Sequence, residues 1–275
     1  MNLAHTGKPE DPLDTFDCLS IVLSVLVILL HGSGIIMVRN IQNARSTRHT
    51  YIANFAIWNI FWAISNLVRY PLIEYFTEQV YIYWTLIIEG ARFPFYSSMI
   101  LITTDRFLQI YLHMKYSQCC FSRCKLYFCI TPFLVYVVWL MASLPLYQQN
   151  VMSFELLVHV TSVYMSATFH VVICSVFVTV YAYIGKKLIS TERPNNGRSR
   201  SNLQKITIPC IIVVTFFLLQ TVPDVCIFTD VAHYGGWTMF LFRLDSLSNG
   251  IIYVALEPTI KMRIEYLLRR VVVLY

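Results

Sequence analysis

The strongest constraint on this chain is a succession of long apolar runs, each wide enough to cross a bilayer and each bounded by polar residues. A helix needs about 20 apolar residues to span the hydrocarbon core, where every backbone N–H and C=O must be satisfied within its own segment. Runs that meet this requirement lie at 16–39, 51–74, 80–112, 126–147, 157–188, 204–229 and 236–257. They predict an all-α membrane protein built as a seven-transmembrane helix bundle. Residues 1–15 are expected to form an extracellular tail. Residues 258–275 begin with Pro258 at a helix-start position and alternate Ile260, Ile264, Leu267 and Leu268 with Lys261, Arg263, Arg269 and Arg270. That alternation suits a short amphipathic helix on the inner leaflet.

Composition points the same way. A chain with 57% hydrophobic and 13% charged residues and a mean hydropathy of +0.59 is not a soluble globule. The formal net charge of +6 speaks of topology rather than of nucleic acid, which is not an expected partner. With the N-terminus outside, the inner segments collect Arg45, Arg48, Lys115, Arg123, Lys125, Lys186, Lys187 and the cations after Pro258. The outer segments keep Lys8 and Arg69. Anionic headgroups and the cost of translocating cations favour that orientation. Met1–Asp17 lacks the basic start of a cleaved signal peptide, so the first span is expected to insert directly. Ser190–Asn202, rich in Pro, Gly, Asn and cations, reads as an inner loop between the fifth and sixth spans.

The 8 cysteines show no CxxC or Cys/His spacing of a metal site and no disulfide framework. Cys119, Cys120 and Cys124 share the second inner loop, where palmitoylation and free reduced thiols are both compatible with the sequence. No Asn-x-Ser/Thr sequon occurs. His31, His159 and His170 stand alone in apolar runs, away from any nucleophile at motif spacing, so no enzyme activity, metal or cofactor is expected.

Charge inside the membrane is costly and marks function by default. Glu89, Arg92, Asp224, Arg243 and Asp245 lie in or near the outer halves of their spans. Glu89 and Arg92 are three apart and share one helix face. Two readings stand side by side: buried pairs that neutralise each other, and a polar pocket for a ligand.

The end of the third span, Thr104-Asp105-Arg106-Phe107 through Tyr116, resembles the Asp-Arg-Tyr motif and following loop of rhodopsin-like G-protein-coupled receptors. Ser248-Asn249-Gly250-Ile251-Ile252-Tyr253 is similar to the family's Asn-Pro-x-x-Tyr segment, with Gly250 where the proline stands. Phe216–Pro223 resembles the sixth-span Phe-x-x-Cys-Trp-x-Pro stretch, with Thr221 in place of tryptophan. Asn54–Asn59 is similar to the second-span motif, with Asn59 where the sodium-holding aspartate is found, and Trp139 matches the fourth-span tryptophan. Ile35 departs from the first-span pattern, and no cysteine near Tyr81 suggests the family's outer disulfide.

The resemblance implies a receptor that takes an extracellular ligand in the outer half of the bundle and activates a heterotrimeric G protein on the inner face. It assigns the coupling switch to Asp105, Arg106, Phe107, Tyr181, Phe217, Pro223, Asn249 and Tyr253. A ligand pocket of Glu89, Arg92, Phe93, Thr221, Asp224 and Arg243 is expected, above a polar core of Asn59 and Asp245. Ile88 stands where amine receptors carry aspartate, and Arg243 where visual pigments carry their imine-forming lysine. A peptide, a small zwitterion or an acidic metabolite remains as the ligand class. A non-coupling decoy or scaffold receptor, and a transporter or channel-like protein, are the alternative functions.

Overall fold

The computed structural model describes residues 15–39, 47–75, 77–153 and 236–256, together with positions 156, 157, 168, 169, 171, 172, 175, 179, 182, 183 and 219. Among the described residues the ordered elements are all helical: α1 (Thr15–Arg39), α2 (Thr47–Tyr75), α3 (Glu78–Gly90), α4 (Arg92–Leu112), a 3₁₀ turn (His113–Gln118), α5 (Cys120–Arg123), α6 (Lys125–Gln148) and α7 (Gly236–Leu256). The expected fifth and sixth spans fall outside the described residues apart from those isolated positions, and the expected C-terminal amphipathic helix, 258–275, falls outside them entirely.

By length and composition, Thr15–Arg39, His49–Arg69 and Lys125–Gln148 qualify as membrane-crossing helices, matching the first, second and fourth predicted spans. The third prediction, 80–112, is two helices joined at Ala91. The cause lies in the chain: Pro94 has no N–H to offer the carbonyl of Gly90, so the regular ladder is interrupted one turn before it. Ala91 N–H instead reaches Ile87 O at 3.3 Å and Ile88 O at 3.0 Å, and Phe95 N–H picks up Ala91 O at 3.3 Å. Helical hydrogen bonding thus passes through the joint with a tightened turn. Arg92, Asp105 and Arg106 in α4, and Arg243 and Asp245 in α7, dilute the apolar character of those two helices.

α2 lies at the centre of the packing among the described helices. α1 lies against both α7 and α2; α2 also touches α3, α4, α6 and α7; and α6 closes on α3 and α4. The core runs along the inside of α2 and α4, where Tyr51, Phe55, Trp58, Trp62, Phe95, Tyr96, Met99 and Ile102 are buried together with Tyr136 of α6 and Phe242 of α7. The opposite surfaces are apolar as well: Val22, Leu29 and Ile36 of α1 and Leu126, Phe133, Val138 and Met141 of α6 are exposed. Apolar faces of that extent need lipid rather than water.

Two glycines set how close the helices come. A Cβ on Gly90 would strike the Trp139 ring and come within 3.1 Å of Tyr136, so glycine lets α3 seat against α6. A Cβ on Gly250 would lie 2.7 Å from Leu30 Cδ2 and 2.9 Å from His31 Nε2. Gly250 therefore serves the α1–α7 contact.

Candidate functional site

Two polar assemblies lie within this apolar frame, one beside the α3–α4 joint and one at the end of α4. At the joint, Arg92 Nε approaches Glu89 Oε2 at 2.5 Å, and Arg92 Nη2 donates to Glu89 Oε1 at 3.2 Å. The three-residue spacing survives the joint and puts both side chains on one face, as the sequence predicts. Both are buried. A buried ion pair recovers its desolvation cost only with good geometry, and here one of the two contacts, Arg92 Nη2 to Glu89 Oε1, is a hydrogen bond.

Arg243 of α7 is 1% exposed and is the largest fully buried side chain among the described residues. Its guanidinium lies 5.4 Å from the centre of the Trp62 ring, and that of Arg92 lies 5.6 Å from the same ring and 5.7 Å from Phe242. A desolvated guanidinium over an indole gains about 2 kcal/mol from the ring quadrupole. The predicted pocket residues Glu89, Arg92 and Arg243 thus come together around a residue that the sequence reading missed. Trp62 lies three residues past Asn59, on the α2 face that carries the core. Its Nε1 is buried with no hydrogen-bond partner among the described residues. Phe93 is not part of this cluster; it packs edge-on against Phe169 with ring centres 5.3 Å apart. Thr221 and Asp224 lie outside the described residues.

Asn59 and Asp245 are both fully buried, and a hydrogen bond links each to a neighbour on its own helix. Asn59 Nδ2 donates to Phe55 O at 2.9 Å, and Asn249 Nδ2 donates to Asp245 Oδ2 at 3.0 Å, with all three polar side chains fully buried. His31 Nε2 donates to Ser246 O at 3.0 Å and links α1 to α7, a partner the sequence did not indicate. Asn66 Nδ2 donates to both Ser20 Oγ and Ser24 Oγ at 3.0 Å, tying α2 to α1.

At the end of α4, Asp105 is 1% exposed and its Oδ1 accepts a hydrogen bond from the Tyr116 hydroxyl. The 3₁₀ turn brings Tyr116 back over the helix end. Arg106 is the next residue of α4, and Tyr253 is in the last turn of α7; the side chains of both lie outside the described residues, as do Tyr181, Phe217 and Pro223 entirely. Phe107 stacks on Tyr111 at 5.7 Å and meets Tyr183 at 6.1 Å.

The loop beyond Tyr116 is anchored too. Tyr51 of α2 donates its hydroxyl to Phe121 O at 3.0 Å, the two rings lie 5.0 Å apart, and Phe121 packs on Phe128 at 4.9 Å. Next to it, Cys120 Sγ–H donates to Cys124 Sγ at 3.7 Å. That hydrogen bond, with a smaller contribution from desolvation, holds the Cys124 thiol above its ordinary range, while the Arg123 charge pulls the other way. In comparison with known proteins, no family model and no curated sequence matches the chain.

Proposed function

We propose that the chain is a receptor of the rhodopsin-like G-protein-coupled class, set in the plasma membrane with its N-terminus outside and its C-terminus in the cytoplasm. The observation that carries this reading is the buried Asp105 at the end of α4, its carboxylate engaged by Tyr116 of the following loop, directly before Arg106. A carboxylate withdrawn from water beside an arginine is the arrangement of a restrained switch. The restraint holds until a conformational change separates the two, and the guanidinium is then available to a partner.

The cluster at the α3–α4 joint supplies the other half of the mechanism. Glu89, Arg92, Trp62 and Arg243 join α2, α3, α4 and α7, so a polar extracellular ligand that exchanges for these contacts changes how the helices pack. The ligand, a peptide or small polar molecule, shifts a pre-existing equilibrium in which the inner end of the sixth span moves outward about Pro223. The opened inner face then admits a helix of a heterotrimeric G protein.

The test is nucleotide exchange on purified G proteins by the full chain in lipid nanodiscs, basal and with pooled peptides and metabolites. The reading expects exchange above the empty-disc level, lost in Arg106→Ala at equal surface expression. Equal exchange by wild type and Arg106→Ala would overturn it.

A further inference from the structure

We propose that Cys120 and Cys124 form a bidentate thiolate site for a thiophilic divalent cation of the Zn²⁺ type, on the inner loop that follows α4. Their sulfurs are 3.7 Å apart. Two thiolates on one tetrahedral Zn²⁺, with Zn–S bonds of about 2.3 Å, have sulfurs about 3.8 Å apart. The sulfur pair therefore already has the separation of one edge of that tetrahedron.

The backbone beneath the pair is fixed in the same arrangement. Cys124 N–H donates to Cys120 O at 2.8 Å, and Ser122 and Arg123 N–H both donate to Cys119 O at 3.2 Å. Between the two cysteines, the carbonyl of Phe121 is held by Tyr51 of α2 at 3.0 Å. The thiols are thus carried on a single anchored turn, and little conformational freedom is lost on binding.

Accessibility and charge fit the same occupant. Cys120 is exposed and Cys124 partly so. Arg123 and Lys125 flank the pair, but two thiolates cancel the charge of a divalent cation, so the complex is neutral and meets no net repulsion. Binding releases two protons, one from each thiol, and involves no redox change. Among the described residues no cluster of three or more His, Cys, Asp or Glu converges, so water or a partner's donor completes the coordination sphere. Sequence spacing does not mark this site: four-residue separation becomes a chelate only when the segment is helical.

The site does not depend on the receptor reading. Its occupation would staple the turn next to Tyr116 and Asp105, and so bears on that reading only as a modulator.

The test uses the full chain in nanodiscs under a phosphine reductant, with Zn²⁺ alone as the probe. Maleimide labelling of each cysteine is followed by peptide mass spectrometry. At equimolar Zn²⁺, labelling of Cys120 and Cys124 together is expected to slow about tenfold or more. Cys120→Ser releases the protection at Cys124, and Cys124→Ser releases it at Cys120, whereas Cys119→Ser leaves both protected. All three positions are at the surface of the loop, and unchanged far-ultraviolet circular dichroism checks the fold. Unprotected thiols at equimolar Zn²⁺, or protection of one that survives loss of the other, overturns the proposal.

Discussion

Asp105 and Trp62 show how much a single side chain can hold. Asp105 accepts the Tyr116 hydroxyl in a setting almost closed to water. Tyr116→Phe removes one donor from a buried carboxylate, at a cost of about 1–3 kcal/mol. A lower thermal midpoint in detergent micelles is expected, and an unchanged midpoint would mean that the carboxylate does not depend on this donor. Trp62 lies under both Arg92 and Arg243 at 5.6 and 5.4 Å. Trp62→Leu removes both cation–ring contacts, while Trp62→Phe keeps part of each. The leucine variant should therefore melt below the phenylalanine variant, and the reverse order would count against a cation–π role. The sequence was informative for one side of these contacts. Glu89, Arg92 and Arg243 stand out because charge is rare within apolar runs. Trp62 and Tyr116 are aromatic residues among many others, and only the turn after α4 and the approach of α7 to α2 single them out.

Helix contacts raise a different question, that of how close two backbones can come. Gly250 and Gly32 give opposite expectations. A Cβ at Gly250 meets Leu30 at 2.7 Å and His31 at 2.9 Å, so Gly250→Ala must push α1 from α7 and disturb the His31–Ser246 hydrogen bond. Overpacking of this kind costs about 1–3 kcal/mol. A Cβ at Gly32 meets nothing within 4 Å. There Gly32→Ala gains helix propensity, up to about 1 kcal/mol. Thermal unfolding of the two variants in the same detergent should move in opposite directions; a shared direction would mean that the α1–α7 contact does not limit stability. In the sequence, Gly250 stands out only by resemblance to a motif that carries proline there, which concerns the curvature of its own helix. Its role against α1 is invisible there, since it depends on a residue more than two hundred positions away. The break at Ala91 was nearer to hand, because Pro94 forbids one hydrogen bond of the ladder. The apolar run across 80–112 conceals it, since hydropathy carries no information about backbone donors.

For the molecule as a whole, the order of packing around the bundle and the number of membrane crossings have to agree. α1 packs against both α2 and α7, so the first and last helices described are neighbours. The three helices that qualify as spans on length and composition alone, Thr15–Arg39, His49–Arg69 and Lys125–Gln148, imply a different topology from that of seven spans. With the N-terminus outside, three crossings leave the loop around Lys115 and Arg123 on the outer side. Seven crossings carry it to the inner side, because the α3–α4 pair then crosses as well. The burial of Met99, Leu101, Ile102 and Asp105 in α4 against α2 favours a crossing by the α3–α4 pair, since a helix outside the bilayer would not line the same core as a spanning one. Retention of cations on the inner side favours it too, for Lys115, Arg123 and Lys125 then remain with Arg45 and Arg48. A short epitope inserted between Ser117 and Gln118 separates the two. In intact cells it should be hidden from antibody, as a C-terminal tag should be, while an N-terminal tag is stained; permeabilisation should reveal all three. Staining of the inserted epitope without permeabilisation would remove the α3–α4 pair from the membrane and the Asp105–Arg106 end from the reach of any G protein.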